Sequence, residues 1–278
     1  MFQQNAIVSS SGSDVLTISD SDGTDHEFRI TETIRNRGGI RHQAIWTRTK
    51  KLVTKTKELV TKTIGKELVT LSEWATADKD AALRLLSRLS MLENGTRNVV
   101  NIRHIFMKHG VPTHAVMERT TPWLSLPSKK FISDVRVVAN IVGPVVDVAV
   151  EMDTLGVVHP EICVENLSLA KVGSRAVAKL AGLENVQESP IKATSCTCLY
   201  ASPEELSGRL VTPAIHIWRM GHLTVELFKS KPLFDGMSLA DVMDLLQEPE
   251  MLADYIREAM QELCSDKSNL RIARRRHR

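Results

Sequence analysis

Aromatic residues are scarce in this chain: 6 Phe, 4 Trp and 2 Tyr make up 4% of its 278 residues. So few rings leave little for base stacking, and a nucleic-acid surface is not expected. Charge of one sign is also lacking. With 36 Lys and Arg against 33 Asp and Glu, the net charge is +3, and no single-sign field covers the body as a polyanion or membrane partner would require. Cysteine occurs only at 163, 196, 198 and 264, too few in a chain of this length for a disulfide framework, so reduced thiols in cytosol or nucleus are expected. Cys196-Thr197-Cys198 has no familiar zinc-ligand spacing, even with His159 added, and no metal site is expected. No apolar run approaches the roughly 20 residues that cross a bilayer, and the start lacks the basic-then-apolar pattern of a leader, so neither insertion nor secretion is expected.

What is present is apolar content of 42%, enough for one large core or two smaller lobes. Residues 1–26 are rich in Ser, Asp, Gly and Gln and read as a disordered tail. Inside it, Val15-Leu16-Thr17-Ile18 runs directly into Ser19-Asp20-Ser21-Asp22. Branched apolar residues favour a strand that adds to a sheet edge, and the acidic run suits a basic groove. This pair of features resembles a SUMO-interacting motif; the alternative is an unstructured linker. At the other end, Arg271-Ile272-Ala273-Arg274-Arg275-Arg276-His277-Arg278 is either a nuclear-import or anionic-partner patch or a solvated terminus.

From Phe28 to Trp74 the apolar pattern has period two with many Val, Ile and Thr residues, which predicts strands. Leu-Val-Thr-Lys-Thr recurs at seven-residue spacing between Lys51 and Thr63, but its Thr content disfavours a helix, and a hairpin is expected. Leu83, Leu86 and Leu89 predict a helix over Ala81–Leu92, followed by strands at Val99–Ile102 and Thr113–Glu118. Beyond Thr120 the character changes to a long apolar helix, Ser133–Leu155, interrupted at Gly143-Pro144. A β-rich first part and an α-rich second part predict an α+β chain of two lobes, 27–120 and 121–272, with a basic tail at 273–278.

Four ordered segments carry a more specific signal. Gly156-Val157-Val158-His159-Pro160-Glu161-Ile162-Cys163-Val164-Glu165-Asn166-Leu167 has the outline of the loop that reads His-Arg-Asp-Leu-Lys-Pro-Glu-Asn in protein kinases. Ala178-Lys179-Leu180-Ala181-Gly182-Leu183-Glu184 follows where such chains carry Asp-Phe-Gly. Tyr200-Ala201-Ser202-Pro203-Glu204-Glu205-Leu206 resembles the Ala-Pro-Glu segment, and Ile215-His216-Ile217-Trp218-Arg219-Met220-Gly221 with Pro232-Leu233-Phe234 resembles the Asp-x-Trp-Ser-x-Gly helix and its exit. From about Phe28 to Ala273 the chain resembles a eukaryotic protein kinase. The wording is most similar to the homeodomain-interacting protein kinases, relatives of the dual-specificity tyrosine-regulated kinases. The resemblance implies a two-lobed kinase fold, here without the usual insert because residues 239–270 are short.

The same resemblance locates what is missing. Phosphoryl transfer needs Lys, Asp, Asn and magnesium in fixed places. Here Ser72 stands at the strand lysine, Ala82 near its helix partner, Glu161 at the catalytic Asp and Gly182 at the metal-binding Asp, with Glu184 a weak substitute. In Arg35–Arg41 one signature glycine survives at Gly38, and Arg41 crowds the phosphate approach. Gly38, Gly39, Met117 and Asn166 are the remaining nucleotide-contact candidates. Positions with structural roles are kept better: His159, Trp218, Gly221, and Glu204 with Arg271 as its expected partner, although His216 replaces the Asp that tethers the loop. The implied protein is a pseudokinase without a required cofactor beyond weak ATP binding, nuclear or cytoplasmic. It binds a related active kinase, that kinase's substrates or SUMO-conjugated proteins. The alternative is an atypical Ser/Thr kinase with Glu161 as base, Asn166 on the metal and Lys50, Lys51, Lys57 or Lys66 reaching the phosphates.

Overall fold

The computed structural model describes residues 7–9, 15–20, 24–36, 39–53, 59–74, 79–95, 97–126, 132, 134–172, 174–192, 199–259 and 261. Two short strands, β1 (Ile7–Ser9) and β2 (Val15–Ser19), precede three long ones, β3 (Asp25–Asn36), β4 (Gly39–Val53) and β5 (Leu59–Glu73). Helix α1 (Lys79–Gly95) leads to β6 (Ile102–Lys108), β7 (Val111–Glu118) and β8 (Thr121–Pro122). Then come α2 (Val135–Thr154), β9 (Val157–Val158), β10 (Leu167–Val172), β11 (Arg175–Leu180), β12 (Gln187–Glu188), β13 (Ile191–Lys192), α3 (Pro203–Leu206), β14 (Leu210–Val211), α4 (Ile215–Lys229) and α5 (Leu239–Gln247). The chain is α+β. None of its described helices is long and apolar enough to cross a membrane.

Contacts divide the chain into two compact units, one from Phe2–Pro122 with Ser168–Val186, the other from Trp123–Leu167 with Gln187–Arg278. The boundary differs from the single break expected near residue 120. Backbone pairing is the reason: β10 pairs with β8 at Ser168↔Pro122 and Leu169↔Thr121, Leu180 N donates to Asn98 O at 2.8 Å, and Val100 N donates to Leu180 O at 2.9 Å.

The first unit is built on a seven-stranded antiparallel sheet in the order β1-β3-β4-β5-β7-β6, with β2 also paired to β3. The hairpin expected around residues 51–63 forms, through Lys51↔Thr61, Leu52↔Val60 and Val53↔Leu59. Val15–Ser19, expected within a disordered tail, instead pairs with β3 from Val15↔Arg29 to Ser19↔Asp25. Ile18 supplies the reason: it is buried with Phe28, Ala44, Trp46, Val69, Leu71, Phe106 and Val116. Burying such a side chain contributes about 1.5–3 kcal/mol, which local composition cannot register. The strand expected at Val99–Ile102 also shifts. Val99 and Val100 are both buried, Val99 makes only a single parallel bridge to Leu180, and β6 begins at Ile102.

In the second unit, Asp134 caps α2 by accepting from Arg136 N at 2.9 Å. The expected interruption at Gly143-Pro144 does not occur, and α2 runs through Pro144. Pro removes one helical N–H. The carbonyl it would have met belongs to Asn140, an exposed position open to water, while Ile141, Val145, Val148 and Met152 keep a buried stripe on both sides of the proline. Ser202 with Glu205, and Ser238 with Asp241, form capping boxes at α3 and α5. A core of Val225, Leu233, Phe234, Val242, Leu245 and Ala259 joins α4, α5 and the helical stretch 249–259.

Candidate functional site

Arg41 and Ser72 lie directly opposite each other on β4 and β5, and opposed residues of antiparallel strands share one face. Glu184 reaches the same place from the turn Leu183–Asn185, which follows β11. The turn is entered through Gly182 at φ 88°, a conformation other residues adopt only with strain. Arg41 Nε donates to Glu184 Oε1 at 2.9 Å, and Ser72 Oγ donates to the same oxygen at 2.8 Å. The Arg41 and Glu184 side chains are only 8% and 4% exposed. Burial alone would raise the carboxyl's pKa, but the charge and hydrogen bond of Arg41, with backbone and Ser72 donors, hold it below the usual value. Both partners are therefore charged, and each neutralises the other. A second, partly buried pair joins Lys179 to Glu118, whose Oε1 also accepts from Asn101 N at 2.8 Å.

The loop Gly156–Leu167 belongs to the second unit and is fixed by its own polar groups. Gly156, at φ 63°, turns the chain out of α2 into β9, which pairs with β12. His159 is fully buried; its backbone N donates to His216 Nε2 at 3.0 Å, and its Nδ1 accepts from Glu161 N at 3.1 Å. Asn166, 1% exposed, donates through Nδ2 to the Glu161 carbonyl at 2.8 Å. Acceptance at Nε2 requires that nitrogen to be unprotonated. Burial pushes the His216 pKa down to about 4, against opposing pulls from Asp153 and the Ala149 backbone. At the position where the resemblance expects a tethering Asp, a neutral His216 imidazole thus holds the loop backbone. Cys163 in the same loop is buried, and desolvation with the neighbouring Glu226 and Glu165 pushes its thiol up to about 12, which makes it a poor nucleophile.

The remaining candidates are dispersed. Met117 is buried on β7 opposite Thr70, Ala82 is buried on α1, and Gly39 pairs with Asn36 at the end of the β3–β4 hairpin. Gly38, Arg271, Cys196 and Cys198 lie outside the described residues. Glu204 is exposed, which corrects its expected buried pairing. The buried pair is Glu205 with Arg219, whose Nη2 lies 2.8 Å from both carboxylate oxygens. Position decides between the two glutamates: Glu205, at the third residue of α3, turns inward and also accepts from Ser202 N at 2.8 Å. Trp218 packs on the α4–α5 core, its ring 5.1 Å from His222. Gly221 is exposed and a Cβ there would meet nothing within 4 Å, so packing does not demand a glycine.

Sequence reasoning missed the Arg41–Glu184, Lys179–Glu118 and Glu205–Arg219 pairs and the buried His222. An arginine in the otherwise apolar half of α4 was the one available signal, since a buried cation requires a partner. Among the described residues no group of three or more His, Cys, Asp or Glu is arranged to hold a metal ion. No protein-family model matches the chain, and no curated protein matches it.

Proposed function

We propose that this chain is a catalytically inactive, kinase-like regulator with a two-lobed fold, acting by protein–protein binding rather than phosphoryl transfer. The observation that carries the reading is the Arg41–Glu184–Ser72 cluster. Three positions that the kinase resemblance places around the nucleotide phosphates are joined into one buried, self-neutralised ion pair. A cation committed to a buried carboxylate is withdrawn from binding phosphate, and separating the pair leaves a buried charge, which costs about 3–5 kcal/mol. The loop around His159 fits the same reading, because Asn166 is buried and its Nδ2 donates to the Glu161 carbonyl of the same loop. Partners of this regulator are a related active kinase or its substrates; SUMO-conjugated proteins, expected from Val15-Leu16-Thr17-Ile18, do not fit, because that segment is committed to β3 with Ile18 buried.

The test is the thermal midpoint of the purified chain with saturating ATP and magnesium. A ligand that binds only the folded form raises the midpoint, by about 2.7 kcal/mol of added stability at a hundredfold excess over Kd. No shift is expected, and no labelled phosphate is expected to reach a generic substrate. A clear shift together with transfer that Glu161→Ala abolishes would establish the atypical kinase instead.

A further inference from the structure

The β4–β5 hairpin runs past the rest of its sheet. On β4 the last pair with β3 is Glu27↔Thr47, and on β5 the first pair with β7 is Val69↔Glu118. Among the described residues, Arg48–Val53 and Leu59–Lys66 therefore pair only with each other. They form a two-stranded ribbon about 20 Å long, joined toward its far end by the apolar pairs Leu52↔Val60 and Val53↔Leu59. A ribbon without a third strand is marginally stable in water, so charge within it matters.

These two strands contain Arg48, Lys50, Lys51, Lys62 and Lys66 and no acidic residue. Their positive charge exceeds the net +3 of the whole chain, so the remainder of the chain is net negative. Lys50 stands directly opposite Lys62, a like-charged pair that weakens the ribbon and gives the fold nothing in return. Alternation along β4 puts Arg48, Lys50 and Lys62 on one face. Lys51 and Lys66 fall on the other, with Thr47, Thr49, Thr61 and Thr63.

Basic positions on both faces select the partner. A flat acidic protein surface or a lipid headgroup layer meets one face of a ribbon and leaves the other in solvent. The major groove of B-form DNA admits a two-stranded ribbon whole, with a phosphate backbone along each side. A-form RNA closes that groove to side chains. Scarcity of aromatic residues counts against single strands, which are held by base stacking. It does not count against a duplex held at its phosphates.

We infer that the β4–β5 ribbon is a DNA-binding arm, which enters the major groove of a duplex and holds it through phosphate contacts from Arg48, Lys50, Lys51, Lys62 and Lys66, with little base preference. The inference is independent of the proposed regulatory function.

Fluorescence anisotropy of a labelled duplex of about 20 base pairs, titrated with the intact chain from about 50 to 200 mM salt, tests it. Binding is expected with a Kd on the order of 10 μM near physiological salt, and a log–log salt slope between about −4 and −5 from the basic residues named. Lys50→Glu should weaken binding about tenfold and flatten the slope by about 1. The same change should leave the melting midpoint unchanged or higher, because it turns the repulsion across Lys50↔Lys62 into attraction. A chain lacking residues 273–278 should bind within about threefold of the intact chain; a greater loss would place the site in the basic tail and overturn the inference. Absence of salt-dependent binding overturns it too, as does binding that Lys50→Glu leaves unchanged. Equal affinity for single-stranded DNA, double-stranded RNA or poly-glutamate of matched charge also overturns it, and the last result would assign the ribbon to an acidic protein instead.

Discussion

Arg41 is buried because Glu184 is there to receive it, and the reverse holds equally. Removing one partner strands the other, so Arg41→Ala is expected to lower unfolding stability by about 3–5 kcal/mol, whereas Arg41→Met combined with Glu184→Leu should cost much less. Urea titration of the two variants checks this; equal losses would mean that packing rather than charge holds the site. Histidines set the pH response of the second unit. Burial lowers His216 to about 4, and burial with Arg219 lowers His222 to about 3, from an ordinary 6.5. Between these values and 6.5 the unfolded chain binds protons that the folded chain refuses, so stability is full above 6.5 and falls as pH drops through that window. For His216 alone the loss is on the order of 3 kcal/mol by pH 4. His222 touches the rings of Trp218 and Phe234, yet neither of its nitrogens has a partner among the described residues. His222→Phe is therefore expected to raise stability at pH 7 by about 1–2 kcal/mol and to flatten the acid slope. Arg41, Ser72, Glu184 and His216 could each be picked out in the sequence, but their pairings could not, because the partners are 143, 112 and 57 residues apart.

Elements obey local rules wherever local terms dominate. The β4–β5 hairpin and α1 follow from branched-residue alternation and leucine spacing, and both form where the pattern puts them. Local rules misjudge β2 and α2, where distant partners decide. Ile18→Ala should cost about 2–5 kcal/mol if β2 is the core-filling strand described here; a change without effect on the denaturation midpoint would return residues 15–19 to the status of a tail. In α2 and α4 two glycines sit at open helical positions where a Cβ meets nothing within 4 Å. Gly221→Ala is expected to stabilise by about 1 kcal/mol through helix propensity alone, read as a higher thermal midpoint. A lower midpoint there would reveal a packing demand at Gly221 that its surroundings do not suggest.

At the scale of the whole molecule, the first unit is assembled from two separated stretches, with β10, β11 and the Glu184 turn entering after the long excursion through α2. A fragment ending at Pro122 lacks the strand beside β8, the Leu180 pairing and the partner of Arg41. It is expected to melt without cooperativity, whereas a fragment with a sharp transition and intact-chain stability would show that Ser168–Val186 is dispensable. The sequence by itself determined the α+β class, most strand and helix positions, and which chemical groups are absent from the loop around His159, because period and residue identity are local properties. Only the tertiary structure decided that Val15–Ser19 is a strand, that Glu205 rather than Glu204 is buried, and that Arg41 and Glu184 meet. Each of those outcomes depends on the low-dielectric interior, where a charge or an apolar side chain is stable only beside a partner that chain order does not reveal.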